Sequence, residues 1–195
     1  MYHSGSRELQ DAFGSAALAD RLAEKLDHNR FTESDKAFIE SSKFFFIATA
    51  SAEGAPDCSF KAGPAGFVRI VSPDILVFPD YDGNGMFRSL GNIRINPNVG
   101  MLFIAFDAMP KRLRVNGKAS VSLDDPLLAT FVGAQALVRV TPEHIFPNCP
   151  RYIPDLSAGR ESAYIPASDT PPLEPAWKSF SDFNDVVPPR RPVRK

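Results

Sequence analysis

A loop in the middle of the chain, PDYDGNG, carries oxygen-bearing side chains at the spacing of a calcium-binding loop. Asp80, Asp82 and Asn84 occupy the first, third and fifth positions of that pattern, and Gly85 occupies the sixth. An EF-hand loop needs a bidentate glutamate at its twelfth position, which here is Gly91. The preceding ILVFP also has the composition of a strand, where an EF-hand has a helix. The sequence therefore disfavours a calcium site.

The same loop leads into a short helical pattern that suits an anion. In MFRSLGNIRINP, Met86, Leu90 and Ile93 share one helical face, and Pro97 ends the pattern. Amides of a Gly/Asn turn and of the first helical residues converge on one point, where the helix dipole favours negative charge. Arg88 could add a charge-assisted contact to a phosphate. A tight turn with a solvated arginine explains these residues equally well.

The elements around this loop indicate a β-rich body preceded by helices. Leu18, Leu22 and Leu26 predict an amphipathic helix, with Leu9 and Phe13 on earlier turns and an interruption at Gly14. A capping box at Thr32 and Asp35 predicts a second helix. Short aromatic and β-branched segments follow and favour a barrel or sandwich: FFFIATA, GFVRIV, ILVF, VGMLFIAF, RLRVNGKASVSL and ALVRV.

Polar and apolar residues alternate strictly from Arg112 to Leu123, with Gly117 keeping the phase. This period of two predicts a strand with one face in the core and Arg112, Arg114 and Asn116 on the other. DDPLLATF, which follows, is predicted to be a short helix begun by an acidic cap.

Composition excludes several classes of protein. A net charge of −1 over 195 residues offers no basic field for nucleic acid or an anionic membrane. The longest apolar run is too short to span a bilayer, so we expect a cytoplasmic protein. Two distant cysteines and three scattered histidines predict reduced thiols and no metal site. Cys149, between two prolines in FPNCP, is predicted to be a buried thiol in a rigid turn, or part of a cap on a ligand pocket.

Three segments in this order resemble the pyridoxamine 5′-phosphate oxidase-like, FMN-binding split-barrel superfamily, in particular its small bacterial members. They lie within residues 38–152 and are FFFIATASAEGAPDCSFKAG, GFVRIVSPDILVFPDYDGNGMFRSLGNIRINPNVGMLFI and RLRVNGKASV. The resemblance implies a mainly β fold, a six-stranded antiparallel split barrel with flanking helices. It also implies a homodimer that holds FMN in a groove between its subunits.

Carried over to this sequence, the resemblance implies seven cofactor-binding residues: Ser59, Lys61, Asn84, Arg88, Ser89, Asn92 and Arg112. Asp80, which could bind a sugar hydroxyl, and Arg114, which could lie near the flavin ring, complete a set of nine predicted cofactor-binding residues. Ser89 stands where the oxidases often have lysine, and Arg112 where they have a glutamine near the flavin ring. Lys61, Arg112 or Arg114 at the pyrimidine edge would raise the electron affinity of the flavin. Exposed edge-strand charges explain Arg112 and Arg114 equally well. No catalytic residue is assigned.

The predicted organisation is an N-terminal helical segment packing on the barrel (1–42), a split-barrel domain (43–155) and a Pro-rich tail (156–195) that wraps the partner subunit. The expected activity is FMN-dependent hydride transfer to or from an unidentified small molecule. Pyridoxine phosphate is not expected as the substrate, because the C-terminal RLxP ending is missing. The alternative is a non-catalytic flavin- or haem-binding protein for storage or sensing, and a deazaflavin is a third possible cofactor.

Overall fold

A computed structural model of the chain describes residues 1–159 and 173–188. These residues form two compact units, one of residues 1–27, 151–153 and 173–188, and the other of residues 28–150 and 154–159. All nine residues singled out for cofactor binding belong to the second unit. The boundaries at residues 42 and 155 stay a prediction.

Two helices form the N-terminal part of the first unit, α1 (Ser4–Phe13) and α2 (Ala16–Leu26). Gly14 separates them at a φ of +64°, a left-handed conformation that glycine adopts without strain, so the predicted interruption is confirmed. Arg7 donates a hydrogen bond to Asp20 at 2.6 Å and joins the two helices. Leu9 and Phe13 stay exposed, so the predicted packing stripe does not extend through α1.

Residues 173–188 are not extended, although their proline content predicts an extended chain. Ala176–Ser179 forms a 3₁₀ helix, and the ring of Trp177 packs edge-on against Phe183 with centroids 5.8 Å apart. This aromatic contact supplies the apolar burial that a Pro-rich segment usually lacks. The basic residues of the tail lie outside the described part of the chain: Arg190, Arg191, Arg194 and Lys195.

One antiparallel sheet of seven strands makes up most of the second unit. Its strands are β1 (Phe44–Ala50), β2 (Pro56–Ala62), β3 (Arg69–Ser72), β4 (Ile75–Tyr81), β5 (Asn98–Ala105), β6 (Lys111–Ser122) and β7 (Ala134–Pro147). Two helices flank it, α3 (Glu33–Ser41) before β1 and α4 (Arg88–Ile95) between β4 and β5. The mainly β, antiparallel architecture with flanking helices is confirmed.

The predicted number of six strands was wrong. Across the sheet the order is β2-β1-β5-β6-β7-β4-β3, and the seventh strand is the four-residue β3, which pairs only with β4. The edge strands β2 and β3 do not pair with each other, so the sheet is not closed. This arrangement is consistent with a split barrel.

The sheet curves around a single aromatic core. Phe45 on β1 lies with its ring centroid 5.0 Å from that of Phe78 on β4 and 5.2 Å from that of Phe103 on β5. All three rings are fully buried. Because three strands separate β1 from β4 in the sheet, their side chains can meet only if the sheet bends back on itself.

The alternation predicted for β6 is confirmed, with Val115 buried and Arg114 exposed. The next strand is longer than predicted: β7 runs beyond Val140 to Pro147, although Pro142 lies within it. The register between β6 and β7 shifts between Asn116 and Gly117, and a proline is tolerated at such a bulge. The bulge therefore allows β7 to continue past Pro142.

The two segments that were predicted to begin with a side-chain cap differ in the structure. Thr32 and Asp35 form the predicted capping box at the start of α3. The predicted helix in DDPLLATF is only a 3₁₀ turn over Leu128–Thr130, and Asp125 accepts a hydrogen bond from the amide of Leu127 at 2.9 Å. Among the described residues, no helix has both the length and the apolar character that crossing a bilayer requires.

Candidate functional site

A cleft of about 380 Å³ lies in the second unit, lined by β2, the end of β4 and the loop that leads into α4. Small-molecule sites in proteins typically have volumes of about 300–1000 Å³. Six of the nine predicted cofactor-binding residues line this cleft: Ser59, Lys61, Asp80, Asn84, Arg88 and Ser89. The cleft is therefore the candidate site.

Strand β2 supplies one wall of the cleft. Its side chains alternate, with Asp57, Ser59 and Lys61 partly buried while Cys58 and Phe60 are exposed. Because alternate residues of a strand share a face, the three partly buried side chains form one polar row along this wall.

Asp80 is a buried carboxylate on the opposite wall, with two partners. The amide of Gln135 donates to its Oδ2 at 2.9 Å, and the Nζ of Lys61 lies 3.9 Å from its Oδ1. A buried charge needs such compensation. Asp80 therefore faces a cation and an amide, one at each of its carboxylate oxygens. Across the described residues, no three His, Cys, Asp or Glu side chains come close enough together to hold a metal ion.

The turn between β4 and α4 leaves amide donors open. Asn84 accepts a hydrogen bond from the amide of Met86 at 3.0 Å, and Gly85 has a φ of +71°. Phe87 occupies the N-cap position of α4 at a φ of +48°, and no side chain caps this helix. The first amides of an uncapped helix have no intrahelical acceptor and suit an anion.

Arg88 is the cation at this helix start. Its side chain is 64% exposed, and its Nε donates to Asp57 Oδ1 at 3.2 Å. The guanidinium thus lies beside the open amides and balances the charge of Asp57. An arginine in this position can donate two parallel hydrogen bonds to a phosphate that enters the cleft.

The helix itself differs from the prediction at its start. Met86 was expected on the buried face with Leu90 and Ile93, but α4 begins only at Arg88 and Met86 is 63% exposed. The left-handed conformation of Phe87 separates Met86 from the helix. Leu90 and Ile93 are buried as expected.

Asn92 does not line the cleft. Its Nδ2 donates to Thr49 Oγ1 at 3.0 Å, and Thr49 is buried on β1. This contact fixes α4 against the sheet, so Asn92 positions the helix that carries Arg88.

Arg112 and Arg114 lie on the other face of the sheet. Arg114 is opposite Leu102, Leu102 is opposite Phe46, and Phe46 is opposite Phe60, so this row shares the outward face. The buried Phe45, next to Phe46, faces the core, as does its cross-strand partner Lys61. The two arginines and the cleft residues therefore do not meet within one chain.

The Arg112 side chain is held against the turn after β7. Its Nη2 donates to the carbonyl of Cys149 at 2.8 Å, and within the described residues its buried Nε has no hydrogen-bond partner. Burial, and then the charge of Arg114, lower the pKa of Arg112. Cys149 is half-buried, and neither Cys149 nor the exposed Cys58 forms a disulfide.

Two polar residues of the cleft, Asp57 and Gln135, were missed by sequence reasoning. Asp57 could have been found, because it shares the alternation of Ser59 and Lys61. Gln135 carries no local signal, since it reaches Asp80 only through the pairing of β4 with β7.

Solved structures resemble this chain at low identity. HupZ of group A Streptococcus is 18% identical, with a TM-score of 0.49 over 68% of this chain and 98% of that chain. A candidate pyridoxamine 5′-phosphate oxidase of Lactobacillus delbrueckii is 22% identical, with a TM-score of 0.49 over 61% of this chain and 95% of that chain. HutZ, the haem storage protein of Vibrio cholerae, is 19% identical, with a TM-score of 0.42 over 60% and 95%. Sequence identities and TM-scores this low do not support assigning the ligands of these proteins to this chain.

No curated protein matches the sequence. The family model described as pyridoxamine 5′-phosphate oxidase matches residues 31–155, which is more than half of the chain and includes the whole cleft. By this match, and with its open antiparallel sheet, the chain belongs to the pyridoxamine 5′-phosphate oxidase family.

Proposed function

We propose that this protein is an FMN-dependent oxidoreductase that holds the flavin phosphate where the cleft meets α4. The observation that carries the proposal is the uncapped start of this helix, with the exposed Arg88 beside it. Open amide donors, a helix dipole and a guanidinium together make a site for a dianionic phosphate.

The acidic residues of the cleft are compatible with this anion. The charge of Asp57 is balanced by Arg88 and that of Asp80 by Lys61, while the amide of Gln135 donates a hydrogen bond to Asp80. Asp82 is exposed and can turn to solvent. The cleft thus offers donors for the phosphate, and Ser59 and Asn84 as polar partners for the hydroxyls of the ribityl chain.

The second part of the proposal is a homodimer. The outward face of β1, β2, β5 and β6 carries Phe60, 57% exposed, in one row with Phe46, Leu102 and Arg114. Aromatic residues and arginine are the residues enriched in protein interfaces. A second copy of the chain would cover this face and bury Phe60.

A dimer would also explain Arg112 and Arg114. Three strand spacings, roughly 14 Å, separate Arg114 from β2 in its own subunit. The arginines can therefore reach a flavin only from the partner subunit. There they would add positive charge near its pyrimidine edge, which favours the reduced flavin.

Bound FMN supplies the hydride chemistry, and the residues of the chain bind and orient it. Lys61 and Asp80 hold the two walls of the cleft together, Arg88 and the helix amides anchor the phosphate, and Asn92 fixes α4 on Thr49. A partner subunit that brings its own outward face to the cleft would exclude water from the ring. The acceptor or donor of the hydride is a small molecule.

The test is a titration of the purified protein with FMN, followed by its visible spectrum and anaerobic addition of NADH, NADPH and candidate substrates. We expect one FMN per chain and bleaching of the flavin by a small-molecule donor. If FMN binds but stays oxidised with every donor, the protein is a flavin-binding or storage protein and not an oxidoreductase. Haemin bound more tightly than FMN, or no binding of FMN, would overturn the proposal.

A further inference from the structure

A second groove, of about 320 Å³, lies on the other side of α4. Its lining is almost wholly apolar and shares Phe87, Leu90 and Gln135 with the cleft. The groove is completed by Gly91, Arg94, Val121, Leu123 and Ala136. The two spaces therefore adjoin along the helix start, with Phe87, Leu90 and Gln135 lining both.

The helix presents a stripe to this groove. Leu90, Gly91 and Arg94 share one face of α4, and the N-cap residue Phe87 continues this stripe past the helix start. The stripe begins with an aromatic ring beside the cleft and ends with a guanidinium. Arg94 lies six residues after Arg88, roughly 9 Å farther along the axis.

Gly91 keeps the groove open. A Cβ built at this position meets no atom within 4 Å, and its backbone is helical without a positive φ. Neither a close approach nor a special conformation requires glycine here. Glycine weakens a helix interior relative to alanine, so this residue lowers local stability and leaves a space that no packing uses.

Arg94 supplies the only charge of the groove lining. It is exposed, and within the described part of the chain it makes no hydrogen bond or ion pair. The opposite wall is apolar, with Val121 partly buried and Leu123 63% exposed. An occupant complementary to this lining has an apolar body and one anionic end.

We propose that the groove beside α4 binds the non-reacting part of the substrate, a small aromatic or aliphatic carboxylate whose anionic end pairs with Arg94. This inference rests on the proposed function in one respect, that the opposite end of the ligand reaches the flavin cleft past Phe87 and Leu90. Binding of the carboxylate itself does not depend on the flavin.

The test is calorimetric titration of the full chain with 2-naphthoate, and with the neutral 2-naphthalenemethanol for comparison. We expect one naphthoate site per chain. Gly91→Phe fills the groove and should weaken naphthoate at least tenfold. Arg94→Gln should weaken naphthoate about tenfold and leave the neutral alcohol unchanged. Ile95→Phe, which adds a ring to the neighbouring exposed position outside the groove, should leave both affinities unchanged.

A second variant tests the groove independently, and thermal unfolding controls for misfolded variants. Leu123→Trp narrows the groove from the opposite wall and should also weaken naphthoate, and thermal unfolding of each variant verifies that it is folded. Unchanged naphthoate affinity in folded Gly91→Phe and Leu123→Trp would overturn the proposal. Failure of both naphthoate and decanoate to bind the wild-type protein would do the same.

FMN affinity, titrated separately in each variant, distinguishes the two proposals. We expect Gly91→Phe to keep FMN and lose naphthoate. If the protein binds naphthoate in the groove but does not bind FMN, the proposed function is contradicted and the groove proposal is supported. If FMN binds but neither naphthoate nor decanoate does, the groove proposal is overturned and the FMN site of the proposed function is supported.

Discussion

Lys61 and Asp80 meet across the open side of the sheet, with Nζ 3.9 Å from Oδ1, although four strands separate β2 from β4. Without Lys61, the buried carboxylate of Asp80 would keep only the neutral amide of Gln135. We expect Lys61→Ala to lower the free energy of unfolding by about 1–2 kcal/mol, because a buried charge loses its counterion. Urea denaturation measures this change.

A double-mutant cycle separates this charge effect from lost packing. In an Asp80→Asn background the carboxylate is absent, so Lys61→Ala should cost less than it does in the wild type. Equal costs in the two backgrounds would show that the pair does not couple the two walls.

Arg88 is expected to govern FMN affinity. Arg88→Ala removes a charged donor from the phosphate and leaves Asp57 unpaired in the cleft, so the dissociation constant should rise about 10- to 100-fold, as for other hydrogen bonds to charged groups. Calorimetric titration with FMN measures it. Asp57→Asn in the same background should recover part of the loss.

Arg30→Ala is the matched control, since it removes an exposed arginine outside the cleft. It should leave FMN affinity unchanged. If Arg88→Ala and the wild type bind FMN equally tightly, Arg88 does not contact the phosphate of FMN.

Phe60 tests the homodimer. Phe60→Asp places a charge in the outward row and should convert the dimer to a monomer, because an unpaired charge is costly in an interface core. Light scattering after size-exclusion chromatography measures the mass. The monomer should also release FMN, if Arg112 and Arg114 reach the flavin from the partner subunit.

Val132→Asp is the control, because Val132 is 96% exposed in the turn before β7. It should stay dimeric. A wild-type protein that is already a monomer, or a Phe60→Asp variant that remains a dimer, would exclude this face as the interface.

Local sequence patterns predicted the features that depend on neighbouring residues. The capping box of Thr32 and Asp35, the break at Gly14 and the alternation along β6 all arise within a few residues, and the structure contains each of them. The resemblance added the family and five of the six predicted residues that line one cleft.

The features that were missed depend on strand register. Gln135 meets Asp80 across 55 residues of sequence, and no local pattern encodes that pairing. Register also places Arg114 on the outward face of the sheet and Lys61 on the inward face. The predicted cofactor-binding residues therefore fall into two groups on opposite faces. Likewise, the last strand was predicted only over ALVRV, whereas β7 continues through Pro142, where the register shifts beside Gly117.

Asp125 should make stability depend on pH in the acid range. Arg139 donates to both its carboxylate oxygens, at 2.6 and 2.9 Å. These hydrogen bonds hold the pKa of Asp125 below its usual value, against the opposing effect of burial. Because the pKa is lowered by folding, the stabilisation is complete above the unfolded pKa of about 3.9 and is lost as the pH falls through the folded pKa.

Asp125→Asn removes this titration. At pH 7 the variant should be less stable by about 1–2 kcal/mol, and the difference from the wild type should shrink as the pH is lowered from 5 to 2. Urea denaturation across this range measures the difference. A difference that stays constant down to pH 2 would show that the Asp125 carboxylate does not contribute through its charge.

Gly117 and Gly91 should respond oppositely to alanine. A Cβ at Gly117 would lie 2.1 Å from the carbonyl oxygen of Thr141 and 2.9 Å from the Cα of Pro142, both backbone atoms of β7. Relief requires moving β7 away at the bulge, so we expect Gly117→Ala to cost about 3 kcal/mol or more, or to prevent folding. Gly91→Ala adds a Cβ to open space on a helix and should stabilise by about 0.5–1 kcal/mol. Thermal unfolding compares the two variants. If both destabilised the protein equally, close approach of β6 to β7 would not be the reason that Gly117 is glycine.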